Sequence, residues 1–227
     1  MKKSNLLIGI MCITSIFTAC KKENNTEVKV LFHSSGKTAV GRSFTFNKFN
    51  VYLSDFYLLN AIGDTTYIKD VMLAKLNEDN SFSTEVPKEI QKFGFSFGLS
   101  PQLNNSVPES YPAAHPLSVE QDMYWGMLKY RFLVIDGGNV DTSYARNQTP
   151  VMPFSYHLGT DTLYRKLVFN RPVVDGDKVK IVLDIDKLFV LDSTRFNLNN
   201  FSNHSDPGQI PNAIKITDAF ISGISVQ

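Results

Sequence analysis

Four histidines stand in this chain of 227 residues, at His33, His115, His157 and His204. They are too widely spread for a local HxxxH metal motif, so a shared site would need folding to bring distant segments together. Imidazole nitrogen is a good donor to copper and zinc. Composition alone nevertheless favours four unrelated surface or hydrogen-bonded histidines over one metal centre. The single tryptophan, Trp125, follows Tyr124 and is flanked by Met123 and Met127. Strand alternation would put Met123, Trp125 and Met127 on one face. Because Trp and Met fill space well, the pattern favours a core stripe. The functional alternative is a soft thioether and an indole beside a copper ion.

A second chemistry-bearing residue lies near the start. Lys2 and Lys3 precede an uncharged apolar stretch, Leu6 to Phe17, which is followed by Thr18, Ala19 and Cys20. The stretch has the length of an export signal and is too short to span a bilayer comfortably. The junction resembles a lipobox, with Phe17 where Leu is more usual. A thiol at a new N-terminus can carry a diacylglyceryl group, and two or more acyl chains anchor stably where one does not. The polar run from Lys21 to Glu27 then reads as a solvated tether. The expected plan is a signal at 1–19, a lipid-anchored tether at 20–27 and one domain at 28–227, in an outer-membrane lipoprotein facing the periplasm or the surface.

Removing 19 residues from 227 leaves 208, and Cys12 departs with the signal. The folded part then has no cysteine, which excludes a disulfide framework and thiolate metal ligation. Losing Lys2 and Lys3 lowers the basic count from 23 to 21 against 22 acids, a formal charge of −1. No basic excess points to nucleic acid. About 200 residues bury a sizeable single core.

The elements that must position these residues read as strands. Val179, Ile181, Leu183 and Ile185 alternate with Lys180, Val182, Asp184 and Asp186, which predicts one buried face. Phe44 to Leu58 is aromatic and β-branched, and its alternation breaks at Asn47–Lys48, as at a bulge. Other predicted strands are Val28–Phe32, Thr66–Leu76, Lys92–Leu99, Tyr124–Ile135, Phe154–Leu158, Leu163–Phe169 and Ala213–Ile224. Turn residues separate them, including Gly63-Asp64, Gly137-Gly138 and Asp175-Gly176-Asp177. No long segment shows a convincing helical period. Nine or so strands with long connections predict an all-β fold, an antiparallel β-sandwich with long irregular loops. The longest connection, Ser100 to Asp122, holds Pro101, Pro108, Pro112 and Pro116. A loop of that length in a compact domain is usually functional or disordered.

In combination these segments resemble the family of methanobactin-associated copper-binding proteins, the MbnP-like domain. The similarity rests on Val-Leu-Phe-His33, on Phe46 to Leu58, and on the run from Phe93 to Asn104. It continues through His115-Pro-Leu, Met123-Tyr-Trp-Gly, Tyr130-Arg-Phe-Leu, Ile135-Asp-Gly, Phe154-Ser-Tyr-His157-Leu-Gly and Asn203-His204. Order and spacing agree over about residues 28–226. The resemblance implies an exported β-sandwich that binds copper. It carries over His115, Trp125 and His157 first, then His204 and His33. It also implies a di-haem peroxidase-like partner, which in some members oxidises a tryptophan to kynurenine. The chain departs from the family at Met127, where a second tryptophan is frequent; the thioether is itself a soft donor.

Three functions compete. The leading one is a lipid-anchored copper-binding protein without turnover, in which His115 and His157 lie together beside Trp125, with Met127 or His204 completing the set. The second is an interaction or glycan-binding module using Tyr111, Tyr144 and Tyr156. The third is a hydrolase with acids near Asp136, but the chain has no HExxH and no nucleophile with an ordered base. Membrane attachment should depend on Cys20. The Cys20→Ala precursor should stay unlipidated, and its full recovery in the envelope as a mature lipoprotein would defeat that reading.

Overall fold

Alternation and turn chemistry divide the chain into strands wherever one face can be buried. In a computed structural model of the protein, the described residues are 25–34, 42–126, 128–141, 152–190 and 202–227. The signal segment, Cys20, Met127 and Tyr144 lie outside them. The strands in chain order are β1 (Thr26–His33), β2 (Arg42–Asn60), β3 (Thr65–Lys75), β4 (Asn80–Thr84), β5 (Ile90–Phe97), β6 (Tyr124–Trp125), β7 (Lys129–Tyr130), β8 (Leu133–Asp141), β9 (Met152–Leu158), β10 (Arg165–Phe169), β11 (Lys178–Asp184), β12 (Ser202–Asn203) and β13 (Ile224–Val226). The helices are α1 (Pro101–Asn104), α2 (Lys187–Val190) and α3 (Ile210–Ser222).

Two sheets form a sandwich. The smaller runs β13-β11-β1-β4 and the larger β10-β5-β2-β8-β9-β12, with β3 also paired to β2. Most pairs are antiparallel, but β1–β11 and β9–β12 are parallel. The long β2 is the spine: it pairs with β8 along its first half and with β5 and β3 along its second. Its register against β8 shifts between Phe46 and Lys48, where the alternation breaks in the sequence. Rings from both sheets meet between the layers. Phe32 of β1 lies 5.3 Å from Phe49 of β2, and Phe82 of β4 lies 5.2 Å from Phe56, edge to face in both cases. Such pairs add to the area they bury. Val179, Ile181, Leu183 and Ile185 are all buried, while Lys180 is exposed.

Two strand expectations are corrected. Residues 213–224 are mostly helical: α3 ends at Ser222, followed by β13. Four of its five buried residues, Ala213, Ile216, Thr217 and Phe220, fall at i, i+3, i+4 and i+7, which is one helical face; Ala219 is the fifth. The isoleucines that suggested a strand occupy that helix because Phe220 packs on Phe49 and Phe97, at 5.9 and 5.6 Å. The expected strand over 124–135 is three short pieces, a hairpin of β6 and β7 followed by β8. The strand β4 went unread in the sequence.

The connection from Ser100 to Asp122 is ordered. It carries α1 and two single 3₁₀ turns, Pro108–Ser110 and Val119–Gln121. Buried Leu117 anchors it, and its carbonyls at Pro116 and Leu117 accept from the hydroxyls of Tyr52 (2.7 Å) and Tyr130 (2.8 Å). Burial without any cross-link must carry stability here. Ile181→Ala should therefore cost about 2–5 kcal/mol, the range for a buried isoleucine truncated to alanine. Denaturant unfolding checks this, and a midpoint that does not move would contradict the packing.

Candidate metal centre

The centre is built on β9. Alternation sends Ser155 and His157 to one face and Tyr156 to the other, where it is buried at 3% exposure. The neighbouring strands bring the remaining groups. The antiparallel register with β8 sets Asp136 opposite Ser155. The parallel register with β12 sets Ser202 beside Ser155 and Asn203 beside Tyr156, and one residue further on comes His204, next to His157. The two imidazole centroids are 5.1 Å apart with the rings nearly perpendicular.

A hydrogen-bond network stands behind His157. Ser155 Oγ donates to Asp136 Oδ1 at 2.7 Å, and the same carboxylate oxygen lies 2.9 Å from His157 Nε2. Ser155 Oγ is 3.1 Å from that nitrogen. Burial pushes the His157 pKa below the ordinary imidazole value and outweighs the opposing pull of Asp136; Arg131 and His204 push it further down. The ring is therefore neutral at neutral pH, as a metal ligand must be.

The loop that carries His204 is held by its own side chains. The His204 backbone N–H donates to Gln209 Oε1 at 2.8 Å, and the Ser205 N–H donates to Asn203 Oδ1 at 2.9 Å. Ser205 takes a left-handed φ of 57° and its Oγ accepts from the Gly159 N–H. His204 Nδ1 is buried and has no hydrogen-bond partner among the described residues. An unmet polar atom in such a place costs on the order of 1–3 kcal/mol, so it marks a place where a ligand would be favoured.

Trp125 closes the cluster. Its ring lies 5.6 Å from His204 and 6.5 Å from His157, edge to face with each. It is 47% exposed, so the expected core stripe is corrected: Met123 is buried but Trp125 is not. The cause is the β6–β7 hairpin, which presents Trp125 outward opposite Lys129. Arg131 braces its base. This mostly buried guanidinium donates to the Asp122 and Met123 carbonyls and pairs with the Asp122 carboxylate at 3.3 Å. Asn104 of α1 accepts from the Tyr130 N–H at 3.2 Å, tying the hairpin to the long connection.

The remaining expected residues lie in other surroundings. His115 stacks on Tyr111 with centroids 4.3 Å apart, and its Nδ1 accepts from the Leu117 N–H at 3.1 Å. The charges acting on it are Lys69 and Asp70, a set disjoint from that around His157. The structure thus pairs His157 with His204, whereas the expected principal pair was His115 and His157. His33 ends β1 beside Asp184 and Asp186, their donor atoms within 4.8 Å of one another on the smaller sheet. The glycan-platform expectation is also corrected in part, since Tyr156 is buried and Tyr111 is occupied by His115. Sequence reading missed Ser155 and Arg131 and weighed Asp136 only as an acid. Ser155 was detectable, because it stands two residues from His157 and so shares its strand face.

Two imidazoles side by side, one of them with an orphaned buried nitrogen, suit a soft or borderline cation. The indole of Trp125 has an N–H donor and no lone pair to give, so unmodified it acts as a wall. Ser155, His157 and Asp136 do not form a nucleophile relay. A relay needs the hydroxyl on one imidazole nitrogen and the carboxylate on the other, whereas here both meet Nε2.

The MbnP family model matches residues 20–208. The solved structure of MbnP from Methylosinus trichosporium superposes with a TM-score of 0.55 at 15% identity, covering 84% of this chain and 86% of that one. At that identity the likeness shows a shared fold. No curated protein matches the chain by sequence. The family match takes in the strands and loops that carry Trp125, His157 and His204, and the chain belongs to the MbnP family.

Proposed function

We propose that this protein is a lipid-anchored copper-binding protein of the cell envelope, acting by capture and release without turnover. The observation that carries the reading is the juxtaposition of His157 and His204, 5.1 Å apart, with Trp125 against both rings. Half-buried imidazole donors with no cysteine among the described residues suit copper, copper(I) included. Family membership supports the same metal. Cys20 supplies the anchor in this reading, and the polar run that precedes β1 the tether that holds the domain off an outer-membrane surface; the expected tether to Glu27 is shortened, because Thr26 and Glu27 already pair within β1. The exposure of Trp125 supports access by a di-haem peroxidase-like partner. Met127, two residues after Trp125 in the sequence, is the candidate for a thioether donor.

Copper(I) competition titration tests the proposal. The His157→Ala, His204→Ala double variant should lose tight binding while its β-sheet circular dichroism persists. His115→Ala should bind as the parent does. Wild-type protein without measurable affinity would leave the fold serving as an interaction module. Bound copper should also be released on acidification, because a protonated imidazole has no lone pair. Since the His157 pKa is lowered, its protonation opposes binding only below the free-imidazole value of about 6.5. Release well above that pH would remove His157 from the ligand set.

A further inference from the structure

We propose that Asp136, assisted by Ser155, is a positioning residue that commits His157 to one tautomer, with the proton on Nε2 and the lone pair on Nδ1. The tautomer stands on this network alone. Its use, with Nδ1 as the atom offered to a metal, rests on the copper reading above.

The protons available to the three groups fix the tautomer. An ionised carboxylate only accepts hydrogen bonds. Asp136 Oδ1 lies 2.9 Å from His157 Nε2, so the hydrogen between them belongs to the nitrogen. Ser155 Oγ has a single proton, and its shorter contact, 2.7 Å, is to the same Oδ1. The hydroxyl donates there and turns its oxygen toward Nε2 at 3.1 Å as a second acceptor. One N–H is then shared between two acceptors, and one O–H has one. The other tautomer would set the Nε2 lone pair against a carboxylate oxygen at hydrogen-bond distance with no hydrogen between them. Sharing the Nε2 proton with Ser155 also leaves that hydroxyl unable to pass its own proton to His157.

The arrangement answers a specific need. A neutral imidazole on an open surface exchanges between tautomers and turns about its side-chain bonds. A carboxylate behind the ring removes both freedoms and raises the basicity of the opposite nitrogen. The fold supplies this backing to His157 through adjacent strands, since Asp136 and Ser155 are cross-strand partners in the β8–β9 ladder. His204 has a different support. It is fixed through its backbone by Gln209, and its Nδ1 stays unpaired among the described residues.

Histidine-selective ¹⁵N NMR of the metal-free full chain tests the assignment, with His157 identified by its loss in His157→Gln. The four histidines make the spectrum simple. His157 should show a protonated Nε2 and an unprotonated Nδ1 as one dominant form. Asp136→Asn places an amide that can donate toward Nε2 and should move the proton to Nδ1. Ser155→Ala should leave the tautomer unchanged, because Asp136 still accepts. In parallel, copper(I) affinity should fall about 10–100-fold in Asp136→Asn, the usual cost of losing a carboxylate behind a ligating histidine. An Nδ1–H tautomer or an even mixture in the wild type overturns the proposal, as does an unchanged tautomer in folded Asp136→Asn. If Asp136→Asn does not fold, the wild-type and Ser155→Ala spectra decide. Wild-type protein with the Nε2–H form but no copper affinity supports the positioning role and removes the copper reading, so the two fail separately.

Discussion

The site depends on the register of three adjacent strands, with β9 in the middle. β8 fixes Asp136 opposite Ser155, and β12 fixes Asn203 beside Tyr156. Because side chains alternate along a strand, a slip of one residue in β12 would turn His204 to the opposite face. The same slip would expose Asn203, whose side chain caps the His204 loop. The β8 ladder cannot slip freely either. Leu133 and Ile135 are buried in β8, and Tyr156 and Leu158 in β9, so a shift would expose apolar surface. The core thus sets the geometry of the polar cluster on the other face of the strand.

The second support is the long connection from Ser100 to Asp122, which acts as scaffold for the hairpin. Asn104 is buried and engaged twice, donating to Asp161 at 2.8 Å and accepting from Tyr130. Arg131 is also buried, and its charge is met by Asp122, which the Lys48 ammonium holds well below the usual carboxylate range. The Asp122 carboxylate is exposed while the Arg131 guanidinium is not, so the pair adds little stability and its contacts chiefly specify one hairpin position. Trp125 can then stand half in solvent and still be aimed at both imidazoles.

With no disulfide available to the folded part, that specificity rests on packing. Phe49 is a junction between layers, touching Phe32 of the smaller sheet, Phe46 of its own strand and Phe220 of α3. Tyr52 and Tyr130 meet edge to face at 5.9 Å, and both donate to the long connection. The same aromatic layer therefore holds the sandwich together and holds down the loop that braces the site.

Much of the architecture was legible in the chain because periodicity is local. The alternation at 179–185, the bulge near Asn47 and most strand segments follow from which face can be buried. The four histidines and Trp125 were visible as candidates by residue type, and the family by their order. The helix at 210–222 was misread because β-branched residues fit a strand by propensity, while its i, i+3, i+4, i+7 face has meaning only against Phe49 and Phe97. Which histidines meet was beyond local pattern. His157 and His204 are joined by a parallel pairing between segments far apart in sequence, while His115 stacks on Tyr111. Sequence by itself determined the donor types and, for His157, the strand face it occupies, but not the exposure of Trp125. Tertiary structure alone decided the pairing, because strand register is set by the burial of the opposite face, and that burial exists only once the sheets have packed.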